Sequence, residues 1–353
     1  MVAGAVDALS TAVEKTVAAA SSSSLAYPSA SASALASSRR ARPKSRLPDA
    51  VRLVLVVVLS LSLSSLGHAF LNVWTNGELA TIERPSESKM EVGLMAAWRI
   101  FGLVLGWVGD YDGYDLAALA LLSRGPAAYL MSSFYGLRAV TTGAYLVVDV
   151  VSAFLPFLLL RESSGAHSAA PGVPNREIVV DRGIQVLTAL QSGLVYDVVL
   201  FLACRSFLPT VLVVYFNGIP TIRPATDAMF LGLGSPATQL FALLFGIAAR
   251  TFIFTPLVTT PPTDEDKAAA EFDPVNATLG QTVAWNLWGY TTQTKVSIVR
   301  TAVAMLFTAV GTYLDCAMTI NGVESFGAAA YASIWAVAAM VTGLSLRYVG
   351  GSV

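Results

Sequence analysis

The chain carries seven long apolar runs, each close to the length of a bilayer crossing, and several hold an aspartate in their interior rather than in the polar segments between them. They cover residues 51–73, 92–122 with an interruption, 140–160, 184–204, 228–254, 298–319 and 326–346. A helix needs about 20 apolar residues to cross the hydrocarbon core. Inside that core every backbone N–H and C=O has to be satisfied within the protein, which favours helices for continuous apolar runs of this kind. The expected fold is all-α: a polytopic membrane helix bundle of seven transmembrane helices, or eight, with one or two interfacial or re-entrant half-helices.

Composition supports the same class without resting on any one run. Hydrophobic residues make up 55% of the chain and charged residues 13%, about half the charged share of an average soluble protein, which is about 25%. The net charge of -1 excludes a nucleic-acid partner, since phosphate binding needs clustered Lys and Arg. Cys204 and Cys316 lie inside apolar runs, where a thiol packs as a small hydrophobe. The two histidines, His68 and His167, are too few for a histidine-rich di-iron centre, paired haem ligation or a three-His zinc site. No cofactor and no metal are expected.

Residues 1–50 form a Ser/Ala-rich tail with too little bulky apolar surface to offset its ordering entropy, and are expected to be disordered. The tail ends in Arg39, Arg40, Arg42, Lys44 and Arg46. Basic residues beside a first span hold that side in the cytoplasm, so the N-terminus is expected to be cytosolic, in the endomembrane system or the plasma membrane. The same cluster can attract anionic lipid. Residues 51–348 form the transmembrane domain. Within it, the acidic connection 255–297 contains the sequon Asn276-Ala277-Thr278, and both features suit a non-cytoplasmic loop.

Three runs share a pattern. Arg99, Arg182 and Arg300 are followed about fifteen residues later by Asp115, Asp197 and Asp315. At about 1.5 Å per residue the two charges stand on the order of 23 Å apart and cannot pair within one helix. The first two units also share Tyr114-Asp115 with Tyr196-Asp197, and Phe134-x-Gly136-Leu137 with Phe216-x-Gly218-Ile219. Arg124-Gly125-Pro126 and Pro209 read as helix breaks, so each unit is expected to hold a crossing followed by a half-helix, 126–136 or 209–218. If these half-helices do not cross, seven spans result. If the stretch from Asp115 to Gly136 does cross, eight result, and the C-terminus returns to the side of the N-terminus.

The carboxylates carry the functional expectation. A charged side chain at the membrane centre costs about 2.5 kcal/mol or more, so Asp112, Asp115, Asp149, Asp197 and Asp315 are the candidate substrate or ion path. Asp112 and Asp115 are three apart and share a helix face. Arg99 and Arg250 are candidate charge partners for Asp149. No catalytic residue stands out, and Gly234-Ser235-Pro236 reads as a packing and kink site. The six tryptophans mostly fall near the ends of the runs, as an interfacial belt would place them. The first expectation is a transporter or channel for a small solute, cation or proton. The alternatives are a non-enzymatic membrane organiser or assembly factor, in which the charges tie helices together, and a metal-dependent lipid enzyme on the Asp110, Asp112 and Asp115 cluster.

Overall fold

The computed structural model describes residues 47–84, 89–168, 171–227, 236–263, 266 and 277–351. The basic cluster at 39–46, Gly232 to Ser235 and Asn276 lie outside the described residues. The bundle is built from α1 (Asp49–Trp74), α2 (Lys89–Val108), α3 (Gly113–Ser133), α4 (Ala139–Leu160) and α5 (Arg182–Arg205). It is completed by α6, Pro236–Ala249 continued through a π-helical turn Arg250–Phe254 and a last turn Thr255–Thr259. After α6 come α7, Thr292–Leu314 with a π turn Asp315–Thr319, and α8, Ser325–Gly350. Among the described residues no strand forms; two isolated bridges, Glu83 to Ile320 and Phe216 to Val323, fasten the connections at one end.

All of these helices except α3 are long and apolar enough to cross a membrane. α3 is less apolar for a structural reason: it runs through the middle of the bundle, and most of its residues are buried by other helices rather than bathed in lipid. Its 21 residues give a length of about 31 Å at 1.5 Å per residue, which matches the hydrocarbon thickness. The run 92–122 is therefore not one interrupted span. It is α2, a tight turn at Gly109–Asp112, and the first half of α3.

The expected break at Pro126 does not occur. Pro126 sits inside the unbroken α3, and its carbonyl accepts a hydrogen bond from Tyr331 Oη at 2.8 Å. That bond ties α3 to α8 beside the proline, while the carbonyl that the missing proline N–H frees is that of Leu122, one turn earlier. The second expected half-helix is present as Leu208–Tyr215, with Pro209 in its first turn. Gly136 and Gly218 both adopt positive φ, +71° and +83°, and end their helices just past the buried Phe134 and Phe216. The shared motif therefore codes a shared helix stop. Asp115 lies in the first turn of α3, whereas Asp197 lies well inside α5, so the two longer units are not equivalent.

Polar residues between the runs mostly cap helices. Asp112 and Asp115 form a capping box on α3, Asp181 accepts from Ile184 N at 2.9 Å, and Asp266 accepts from Thr292 N at 2.6 Å. Glu78 accepts from Arg138 N at 2.9 Å ahead of α4. Pro236 opens α6 rather than kinking it. In the centre, Tyr129, Tyr196, Phe245 and Trp335 stack around one another. Trp335 is buried there and not in an interfacial belt. α5 and α6 touch backbone to backbone: a Cβ on Gly246 would stand 2.1 Å from Ala189 O and 2.7 Å from Gly193 N. Only glycine permits that approach.

Contacts give the course of the chain through the bundle. α1 and α4 run antiparallel, since His68 meets Asp149 and Arg99 bridges Ser60 to Ser152. The end of α4 meets the end of α2, where Arg161 donates to Trp107 O at 2.8 Å. Asp49, Asp112, His167, Val258 and Gly350 consequently gather at one end of the bundle. Because α3 traverses, the connection between α6 and α7 leaves and re-enters at the same end as Asp49, whereas the acidic sequence there pointed to the opposite side.

Candidate functional site: a buried ionic cluster beneath a cavity

α1 is apolar on nearly every face, yet Ser60, Ser64 and His68 recur at intervals of four and form one polar stripe turned inward. Ser60 and Ser64 are buried. α4 offers a matching stripe of Tyr145, Asp149 and Ser152, and Tyr145 packs its ring 5.3 Å from that of His68. Between the stripes stand Arg99 from α2 and Arg124 from α3.

These residues form a closed ionic cluster. Asp149 accepts from Arg99 Nη1 at 3.0 Å and lies 3.3 Å from His68 Nε2. Arg124 Nε stands 4.0 Å from the other Asp149 oxygen, and Arg124 Nη1 donates to Asp315 Oδ1. Arg99 Nη2 also donates to Ser152 Oγ at 2.5 Å and Ser60 Oγ at 3.4 Å. Two guanidinium groups thus face two carboxylates, which removes the prohibitive cost of an isolated charge in a low-dielectric interior. The second oxygen of Asp315 is buried without a hydrogen-bond partner.

The cluster forms one wall of a cavity of about 420 Å³, lined among others by His68, Glu83, Arg99, Arg124, Tyr145 and Asp149. That is room for several waters or a small solute. The cavity extends toward Leu79, Ile82 and Ile320, at the end opposite Asp49. A smaller space of about 70 Å³, lined by Trp98, Gly102, Leu116 and Phe307, lies on the other side of the same Arg99, Arg124 and Asp149. The three charged residues therefore separate two cavities.

A second polar centre sits at the Asp49 end. Asp112 accepts from Ser164 N at 2.9 Å, Ser164 Oγ at 2.8 Å and His167 Nδ1 at 2.8 Å. His167 Nε2 points at Thr251 O, 3.3 Å away. Both ring nitrogens face acceptors, so the imidazole is best satisfied doubly protonated. Arg300 grips Asp115 with both Nη atoms, at 2.6 and 3.2 Å, while Nη1 also reaches Phe252 O at 2.8 Å in the π turn of α6. Asp112, Asp115 and His167 bring their ligand atoms within 4.8 Å of one another, a donor set and spacing suited to a divalent ion. Every carboxylate oxygen there is already engaged, however, so an ion would have to displace Arg300 and His167. Asp110 points outward and pairs with Arg161.

Of the candidate path residues, Asp149 and Asp315 meet in the interior cluster, and Asp112 and Asp115 meet at the Asp49 end. Asp197 stands apart, lining a groove of about 300 Å³ with Gly193, Gln239 and Ala242 between α5 and α6. Gln191 turns to Ser345 Oγ at 2.7 Å. Arg99 contacts Asp149, whereas Arg250 joins no carboxylate among the described residues. His68, Arg124 and the two serines were not singled out by the sequence reading, although the four-residue spacing on α1 was visible there.

The outer centre has a pH signature. Burial pushes the Asp112 carboxyl up, but the hydrogen bond and charge of His167 and the Asp115 and Ser164 backbone N–H groups outweigh it, holding it below its ordinary 3.8. Burial pushes His167 down, but its hydrogen bond to Asp112 and the charges of Asp115 and Asp112 raise it above 6.5. A depressed carboxyl stabilises the fold above its unfolded value and loses that as pH falls; a raised imidazole stabilises below its unfolded value and loses that as pH rises. The centre is therefore expected to stabilise most between pH 3.8 and 6.5. Thermal unfolding of wild type and His167→Gln in detergent checks this: the gap should be widest inside that window and close at alkaline pH. A constant gap would contradict it.

Comparison with protein-family models, with curated proteins and with solved structures finds no match to this chain.

Proposed function

We propose that this integral membrane protein transports a small solute, with the ionic cluster of His68, Arg99, Arg124, Asp149 and Asp315 as its coupling site. The observation that carries the proposal is the position of the cluster, at the wall of a solute-sized cavity and between that cavity and a second one. A purely structural ion pair needs no such space beside it. Polar and ionisable groups kept within a bundle interior commonly mark substrate or proton pathways, and transporters place their sites near the midplane between packed helices.

The test is flux into proteoliposomes containing the full chain, with and without a pH gradient, for a panel of small anions, cations and neutral solutes. Asp149→Asn should lower the flux per reconstituted folded molecule at least about tenfold, since a charge-assisted hydrogen bond is worth about 1.5–3 kcal/mol. Wild-type flux no greater than that of empty vesicles would reject the proposal.

The second reading, a membrane organiser whose charges are interhelical ties, is favoured by Arg300 gripping both oxygens of Asp115. On that reading Asp149→Asn lowers abundance and no solute moves.

A further inference from the structure

The cavity presents its cations more than its anions. Arg99 and Arg124 are 15% and 13% exposed, whereas Asp149 and Asp315 are 4% and 0% exposed. His68, at 33%, is the most open of the five. Asp149 and Asp315 lie behind, spent on holding the guanidinium groups, and a solute that has passed the exposed Glu83 meets N–H donors. A planar guanidinium recognises carboxylates and inorganic oxyanions in particular.

Charge balance sets a second condition. Facing His68 are Asp149 and Tyr145 from α4, Arg99 from α2, Arg124 from α3, Asp315 behind Arg124 in α7, and Glu83 from the connection between α1 and α2. With His68 neutral, the two arginines cancel Asp149 and Asp315, while Glu83 is exposed and its charge is screened by water. An anion arriving alone would leave one negative charge uncompensated at low dielectric, which is strongly unfavourable. His68 can correct this, because Nε2 contacts Asp149 and leaves Nδ1 to take a proton.

Resting on the transport reading above, we propose that the cavity binds a small monoanion, an organic carboxylate or an inorganic oxyanion, together with one proton taken from the aqueous phase onto Nδ1 of His68. The bound pair is electrically neutral, and release returns the proton to water and the anion with it. No bond is made or broken apart from that to the proton.

The experiment is calorimetric titration of the full chain in lipid nanodiscs with sodium pyruvate, sodium nitrate and tetramethylammonium chloride, each above neutral pH in two buffers of different ionisation enthalpy. Pyruvate or nitrate, each a monoanion that does not titrate in this range, is expected to bind with uptake of close to one proton per anion, and which of the two binds tells an organic from an inorganic ligand. His68→Gln should lose the proton uptake and weaken binding tenfold or more. Ala96→Phe, which adds a ring at the cavity wall one turn before Arg99, should abolish binding with the helical circular dichroism intact. Anion binding without proton uptake, unchanged binding in Ala96→Phe, or no binding of either anion would overturn the proposal. If only tetramethylammonium binds, or if a cation or neutral solute crosses proteoliposomes in an Asp149-dependent way, the anion assignment falls while transport stands. Absence of any flux removes both.

Discussion

Arg124→Met is expected to abolish most of the folded protein. The substitution leaves Asp315 fully buried and facing no arginine, and breaking one side of a buried ion pair costs about 3–5 kcal/mol. Against a total folding stability of about 5–15 kcal/mol that is enough to empty the native state of many proteins. The partner change is the informative control. Adding Asp315→Leu removes the stranded charge, and since a buried pair replaced by apolar groups is often neutral or stabilising, the double variant should recover most of the monodisperse yield in mild detergent. Asp149 keeps Arg99 and His68 in either case. Equal yields for wild type and the single variant would mean that the Asp315 carboxyl is not confined as described.

The path of α3 leads to the second large effect, which is all-or-none. With α3 traversing the bundle, Asp49, the connection between α6 and α7, and Gly350 share one end. Accessibility tags placed ahead of Asp49, within residues 267–275 and after Val353 should all react from the same side of sealed vesicles. If the basic run before α1 holds that side in the cytosol, Asn276 never meets the glycosylation machinery, and Asn276→Gln leaves gel mobility unchanged. A glycan on Asn276, or a tag ahead of Asp49 on the side opposite those at 267–275 and after Val353, would require α3 to turn back within the membrane.

The parts of the fold legible beforehand were those that lipid selects. α1 and α4 face hydrocarbon over much of their surface and stand out by hydropathy alone, at 2.1 each. Whether α3 crosses stayed open in the sequence, because a helix surrounded by protein can afford Arg124, Ser123 and Pro126, and apolarity is then no guide to where it lies. The interior aspartates were legible as oddities, since burying a carboxylate has so few solutions. Their partners were not, because the contacts joining Arg124 to Asp315 and Arg300 to Asp115 span 191 and 185 residues, and nothing local encodes which helices become neighbours. The two opposite charges on each of α3 and α7 were the legible half of that pairing, and the parallel course of the two helices was the missing half.

That pairing bears on which parts of the molecule can move. Arg300 holds α3 near its start, and Arg124 holds α7 near its end, so the two helices lock like a bolt secured at both heads. Sliding either by one turn would strand four buried charges at once. The ion pairs that tie α1 and α2 to the rest of the bundle converge instead on one residue, Asp149, and the most apolar windows of these helices are only 11% and 17% buried, against 67% for α6. Since the large cavity lies between that pair and the locked core, opening it by a swing of α1 and α2 would have a single latch to release, with Arg99 and His68 carried on the moving side of the hinge.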